Sequence, residues 1–273
     1  MLARQRQALI LGELQRHGAI RVSDLVQVLG VSDMTVRRDL EALARQGLLD
    51  KVHGGATLRS GRTTDEPGFE AKSVRELPEK EAIGRRAAML VQPGTAVAVT
   101  AGTTTHALAR HLAGMPGLTV VTNSIRVAQL LHQTASRDQT VILTGGLRTP
   151  SDALVGPVAV DALRSLHVDM CFMGVHGMDE RTGYTTPNLM EAETNRAMLE
   201  AARRLVVVAD HTKWGTLGLS RIARLEDASV LVTDDKLPRA ARELLQERVN
   251  ELLVVPAGAP RPEAATEDAS RLA

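Results

Sequence analysis

The first fifty residues alternate apolar stripes with polar faces at a helical period. Over residues 4–17, Ile10, Leu11 and Leu14 line one side, and Gly18 ends the run. Ser23 is placed to cap a short second helix carrying Leu25, Val26 and Leu29, after which Gly30 and Val31 form a tight turn. Ser32 caps a third helix, in which Val36, Leu40 and Leu43 recur at i, i+4 and i+7 and predict an inward face. Asp33 sits in its first turn, where negative charge complements the helix dipole. Thr35, Arg37 and Arg38 stay outside, near the N-terminal end. After Gly47, "LLDKVHGGATL" reads as a hairpin with Gly54 and Gly55 at its tip. The sum is a winged helix-turn-helix.

Past residue 77 the period changes. "TAVAVT", "LTVVTNS", "TVILTGG", "VDMCFMGV", "RLVVVAD", "SVLVTDD" and "ELLVVP" are short, β-rich apolar runs. Amphipathic helices are predicted from Glu79, just after Pro78, to Leu90, from Thr104, over 127–133, over 191–202 and from Pro238. This alternation predicts an α/β domain with a mainly parallel sheet. In such sheets ligands sit beyond the carboxyl ends of strands. "TAGTTT", "TNS", "TGGLR" and "ADHTKWG" all follow strands directly. The predicted organisation is a reader at 1–58, a linker at 59–77, an α/β domain at 78–256 and a tail at 257–273.

Composition narrows the setting. The chain has 273 residues, 44% of them hydrophobic, which suffices for two cores. Four aromatics make those cores aliphatic: Phe69, Phe172, Tyr184 and Trp214. A single cysteine, Cys171, excludes an internal disulfide framework, and its apolar neighbours predict a buried thiol. No run is long enough to span a bilayer, and polar residues interrupt the N-terminus where a signal peptide has its apolar core. The expected location is cytoplasmic. Net charge is +1, but residues 1–60 hold nine Lys/Arg against six Asp/Glu, leaving 24 against 26 elsewhere. A positive excess confined to one end points to nucleic acid there.

These features assign candidate roles. Thr35 and Arg38 are expected to face base edges, while Arg37, Lys51 and His53 hold phosphates. Arg21 and Ser32 are expected at the duplex backbone, and Gly54 and Gly55 permit its close approach. Asp39 is expected to hold the arginines or brace the bundle. At "VTAGTTTHALARHL" a glycine and three threonines open a helix, where unpaired N–H groups and the dipole suit an anion.

The segment "SDLVQVLGVSDMTVRRDLEALARQGLLDKVHGGA" resembles the N-terminal signature of the DeoR family of bacterial transcriptional regulators. The likeness continues through "GTTT", "LTVVTNS", "LVG", "GYTTPNLMEAE" and "DHTKWG" to about Pro256. It implies a sensor domain similar in fold to ribose-5-phosphate isomerase and its CoA-transferase-like relatives. It also implies a phosphorylated sugar or similar effector, operator DNA as partner and a homo-oligomer, with repression as the mode. On the resemblance, Gly102, Thr103, Thr104 and Thr105 cradle the phosphate and Lys213 adds a charge. Asn123, Ser124, Gly145 and Gly146 line the site, and Glu191 and Glu193 meet sugar hydroxyls. The chain departs from the family pattern at Thr100, where an acidic residue is usual, and at Asn195, where lysine is common.

An aldose–ketose isomerase needs a poised base and a carbonyl-polarising partner. Asp169, Asp210, Glu191, Lys213, His176 and His211 are available, yet none falls in a catalytic motif. No metal site and no cofactor are implied. Three readings stand: a ligand-controlled repressor, a sugar-phosphate enzyme tethered to a DNA anchor, and a DNA-binding module indifferent to metabolites. The first is favoured.

Overall fold

The computed structural model describes residues 2–17, 19–46, 48–52, 54–57, 64, 66, 68–134 and 138–257. His53 and the tail from residue 258 lie outside the described residues. In the N-terminal unit, α1 (Ala3–His17), β1 (Ala19–Arg21), α2 (Val22–Leu29) and α3 (Asp33–Arg45) precede the hairpin β2 (Asp50–Val52) and β3 (Gly55–Thr57). Ile10, Leu14, Leu25, Val36, Leu40 and Leu43 meet in one core, the inward faces predicted from the helical period. Gly30 closes α2 in the left-handed conformation, with φ +63°, and Ser32 accepts from the Thr35 N–H at the start of α3. Asp39 accepts from Arg6 Nε at 2.6 Å and Gln7 Nε2 at 3.2 Å, so it clamps α1 to α3 instead of holding the recognition arginines.

Two local expectations are corrected. Helix α2 begins at Val22 directly out of β1, with Arg21 in the capping position. Ser23 therefore lies inside the first turn and its hydroxyl donates to Asp24. The hairpin tip also ends one residue earlier than expected. Gly54, at φ +77°, is in the turn, but Gly55 is a β3 residue paired with both Val52 and Arg21. A Cβ at Gly55 would come within 2.3 Å of the Ile20 carbonyl oxygen, so glycine there lets three strands close up.

The joining segment carries a short helix, α4 (Phe69–Ser73), and leads to α5 (Leu77–Ala88). Then follow β4 (Ala96–Val99), α6 (Thr103–Leu112), β5 (Thr119–Thr122), α7 (Ile125–Thr134) and β6 (Thr140–Leu143). A small hairpin, β7 (Leu147–Arg148) and β8 (Leu154–Val155), precedes α8 (Pro157–Arg164) and β9 (Val168–Gly174). After β10 (Gly177–Asp179) and β11 (Gly183–Thr186) come α9 (Leu189–Glu200), β12 (Ala202–Val208) and β13 (Ser220–Ala223). The set closes with β14 (Val230–Asp234), α10 (Arg239–Arg248) and β15 (Leu252–Val255).

The seven apolar runs read from the sequence form one sheet, in the order β15-β14-β12-β9-β4-β5-β6, with every pairing parallel. Side chains alternate between its faces. Val97, Val99, Met170 and Phe172 pack with α5, α6 and α7 on one side. Ala98, Cys171 and Met173 pack with α8, α9 and α10 on the other. Burial on both faces explains why the central strands read as continuous apolar runs, whereas the edge strand β6 leaves Ile142 and Leu143 exposed. The chain winds outward from β4 through β5 to β6, then returns to β9 on the other side of β4. The strand order reverses between β4 and β9, and a crevice opens beyond their carboxyl ends.

Candidate functional site

The crevice is lined by Ala101, Gly102, Thr103 and Thr104 after β4 and by Gly174, Val175 and His176 after β9. Thr186, Pro187, Glu191 and Asn195 come from β11 and α9, and Lys213 from the 3-10 turn His211–Lys213. Glu66, Lys72 and Ser151 complete the wall. Its enclosed volume is about 60 Å³, several times the 10–15 Å³ that one water requires. That suits a phosphate-sized head, with the rest of a ligand reaching toward the mouth.

One side of the cleft is electropositive. Gly102 precedes α6, whose first N–H groups have no intrahelical acceptor and carry the positive end of the dipole. Lys213 stands on a turn held by Asp210, which accepts from the Thr212 N–H at 3.1 Å. Burial pushes the Asp210 carboxyl up, yet Lys213, the Thr212 hydroxyl and Lys80 together hold it below the usual range. Lys72 donates to Ser151 Oγ at 2.9 Å. Burial lowers its pKa, with Glu191 opposing that shift.

The other side is acidic. Glu191 accepts from Thr149 at 2.8 Å and from Thr186 at 3.2 Å. Burial, and then the neighbouring Glu66 carboxyl, raise its pKa. Glu66 itself accepts from Asn188 Nδ2 at 2.8 Å and Ser151 Oγ at 3.2 Å. Asn188 also caps α9 through the N–H groups of Met190 and Glu191, which fixes where the Glu191 side chain begins. The cleft thus pairs an anion cradle with two carboxyl groups able to accept from hydroxyls.

The sequence-derived candidates divide accordingly. Gly102, Thr103, Thr104, Glu191 and Lys213 line the cleft; Thr105, Asn123, Ser124, Gly145, Gly146 and Glu193 do not. Thr105 donates back to the Gly102 carbonyl at 3.0 Å. Asn123 is buried and accepts from the Ala101 N–H at 2.9 Å, so it shapes the loop from behind. Ser124 accepts from the Val127 N–H at the start of α7. A Cβ on Gly146, at φ +120°, would lie 2.5 Å from the Val155 oxygen, which makes that glycine a hairpin requirement. Gly145, at φ +75°, shares the turn, and Glu193 points to solvent on α9. Thr100 ties β4 to β9, its hydroxyl accepting from the Gly174 N–H at 3.1 Å. Glu66, Lys72 and Ser151 were not among the candidates, because they come from a linker and a turn that carry no periodic signal.

The N-terminal unit presents a second surface. Ser32, Thr35, Arg37 and Arg38 lie on the first turns of α3, where a helix-turn-helix meets the major groove. Arg37 is engaged by Asp33 one turn earlier, whereas Arg38 is exposed and has no ion pair among the described residues. Met34, 79% exposed, stands beside them and offers an apolar contact for a thymine methyl. Lys51 is on the wing and Arg21 at the β1 end, both exposed.

A winged helix-turn-helix followed by an α/β domain with an anion cradle defines a ligand-responsive, DNA-binding class of regulator. The chain belongs to the DeoR family: residues 6–62 match the DeoR-like helix-turn-helix domain and residues 75–235 the DeoR C terminal sensor domain. It is 36% identical over 255 residues to YgbI, an uncharacterized HTH-type transcriptional regulator of Escherichia coli, covering 93% of this chain and 98% of that one. It is 30% identical over 241 residues to CsqR, an HTH-type transcriptional repressor of Escherichia coli, covering 88% of this chain and 91% of the other. Among solved structures, ribose 5-phosphate isomerase A from Methanocaldococcus jannaschii aligns with a TM-score of 0.37 and 18% identity, over 50% of this chain and 53% of that one.

Proposed function

We propose that the protein is a cytoplasmic transcriptional repressor whose hold on operator DNA is released by a phosphorylated sugar-type effector. The observation that carries this reading is the convergence of the α6 N-terminus, Lys213 and Lys72 in the crevice at the sheet's switch point. Main-chain N–H groups and two ammonium groups suit a phosphate dianion, while Glu66 and Glu191 across the cleft suit hydroxyls. In the reader, Thr35 and Arg38 address base edges, with Ser32, Arg21, Arg37, Lys51 and His53 on the backbone. Paired half-sites require at least a dimer of this chain. That relatives over nearly the whole chain are named as transcriptional regulators supports binding at this site without turnover.

Gel shifts on the DNA upstream of its own gene, with and without ribose 5-phosphate, fructose 6-phosphate and fructose 1-phosphate, test the reading. Release of DNA by one sugar phosphate, recovered unchanged afterwards, is the expected result. Conversion of that compound at enzyme-like rates, or DNA binding indifferent to all of them, rejects it.

A further inference from the structure

Helix α9 gives the cleft two polar side chains, and the protein satisfies only one of them. Glu191, in the first turn, accepts from Thr149 and Thr186. Asn195, one turn further on, lines the same cleft. It is 7% exposed, yet its side-chain amide makes no hydrogen bond among the described residues. Residues four apart share a helix face, so the two side chains leave α9 on the same side. The neighbours of Asn195 fix that orientation. Thr194 Oγ1 accepts from the Gly156 N–H at 3.3 Å, and Arg196 Nη1 donates to the Arg221 carbonyl at 2.7 Å. These flanking contacts set the rotation of α9 and leave position 195 to the crevice.

Neither local structure nor packing favours asparagine at this place. In a helix interior Asn is a poorer choice than Ala, Leu or Lys, because its amide competes with the backbone for hydrogen bonds. Ala192, Ala197 and Met198, buried on the same helix, are apolar, and the buried Thr194 is paired. A buried amide stabilises a fold only when its donors and its acceptor find partners. Asn195 goes against both preferences and does so in a cleft wall, the kind of local inconsistency that accompanies function.

We propose that Asn195 determines which effector the cleft accepts, its amide hydrogen-bonding a neutral oxygen on the ligand's body, one turn along α9 from Glu191. The inference rests on the effector reading above and narrows it to monophosphates with an uncharged, hydroxyl-bearing body. The phosphate takes the α6 N-terminus and the two ammonium groups. Across the cleft, Glu66 and Glu191 accept from hydroxyls, and Asn195 adds a donor and an acceptor without adding charge. With both ammonium groups engaged, a second phosphate or a carboxylate on the ligand meets only the acidic pair and a neutral amide. It is repelled, so this wall selects by exclusion as well as by contact.

Thermal-shift titrations of the full chain test this. The monophosphate probes are ribose 5-phosphate, fructose 6-phosphate and fructose 1-phosphate. Fructose 1,6-bisphosphate and 6-phosphogluconate are the doubly anionic probes, and inorganic phosphate reports the cradle alone. Wild type is expected to bind its best monophosphate at least about ten-fold tighter than either doubly anionic probe. Asn195→Leu is expected to weaken that monophosphate at least about five-fold and inorganic phosphate by no more than about two-fold, and to melt no lower than wild type without ligand. Asn195→Lys is expected to move the preference toward the doubly anionic probes at least about ten-fold. A purely structural role for Asn195 would change every probe alike. Asn195→Leu binding all probes within about two-fold of wild type, or losing inorganic phosphate as much as the sugar phosphate, overturns the contact. A wild-type preference for a doubly anionic probe, or an unchanged preference in Asn195→Lys, overturns the ligand class. The effector reading survives each of these results; a wild-type chain silent to every sugar phosphate removes that reading and this inference with it.

Discussion

Lys51 in the wing donates to the Glu41 carboxylate of the recognition helix at 2.9 Å. The hydrogen bond to Lys51 holds the Glu41 carboxyl below its ordinary pKa. Both side chains are exposed, so the contact does little for stability. Its consequence lies in charge placement, because a phosphate must compete with Glu41 for the one wing lysine among the described residues.

Glu41→Gln is therefore expected to tighten DNA binding by about two-fold at low salt, the Lys51 charge no longer being shared. Lys51→Ala is expected to lower the slope of log K against log salt by about one, with affinity falling evenly across DNA sequences. A salt titration of both variants checks the assignment. An unchanged slope in Lys51→Ala would show that the wing lysine serves α3 alone. Arg38→Ala is expected to behave differently, relaxing base preference by about 1–3 kcal/mol at one position.

Asp39 occupies the same helix but faces inward, 6% exposed against Arg6 at 14%. Removing the Asp39 carboxylate takes one acceptor from the Arg6 guanidinium and one from the Gln7 amide in a poorly solvated place. Asp39→Ala is expected to destabilise the reader by about 3 kcal/mol, and Arg6→Met/Asp39→Leu to recover most of that. Urea melts followed by helical circular dichroism measure both. A loss below about 1 kcal/mol in Asp39→Ala would place the pair among weak surface contacts.

The contrast between Arg38 and Asp39 shows how much was legible. Neighbours on one helix separated cleanly by period, because Val36, Leu40 and Leu43 fix which face is buried. The parallel strands were equally plain, since burial on both faces leaves an uninterrupted apolar run such as the one ending at Val208. Polar residues after strands were harder. Asn123 and Thr104 both follow strands in small polar segments, yet one is turned inward to Ala101 and the other lines the cleft. Nothing local distinguishes them. Lys72 reaches Ser151 across 79 positions of chain, and Glu66 reaches Asn188 across 122, so no window of sequence contains those contacts. Gly84 is similar: a Cβ there would meet the Leu108 nitrogen at 2.7 Å, a constraint set only once α5 and α6 pack.

Lys80 supplies the pH dependence. It is 3% exposed, and burial lowers its pKa from 10.5 to about 8, with the nearby Asp210 carboxylate opposing the shift and Lys213 adding to it. Glu76 and Arg75 act on it in opposite senses. Between about pH 8 and 10 the unfolded chain binds more protons here than the folded one, so stability rises with pH in that window. It is lost again as pH falls through about 8. The span corresponds to no more than roughly 3–4 kcal/mol. Lys72 is shifted in the same direction by its own burial, so it contributes to the same rise. Lys80→Met removes one proton linkage and leaves the Lys72 and Arg75 carbonyls without that donor. The variant is expected to be less stable at pH 7 and to gain less between pH 8 and 10, and Lys72→Met/Lys80→Met to gain least. Denaturant melts at pH 7, 8, 9 and 10 read the slopes directly. Parallel wild-type and double-variant curves would assign the alkaline gain to other groups.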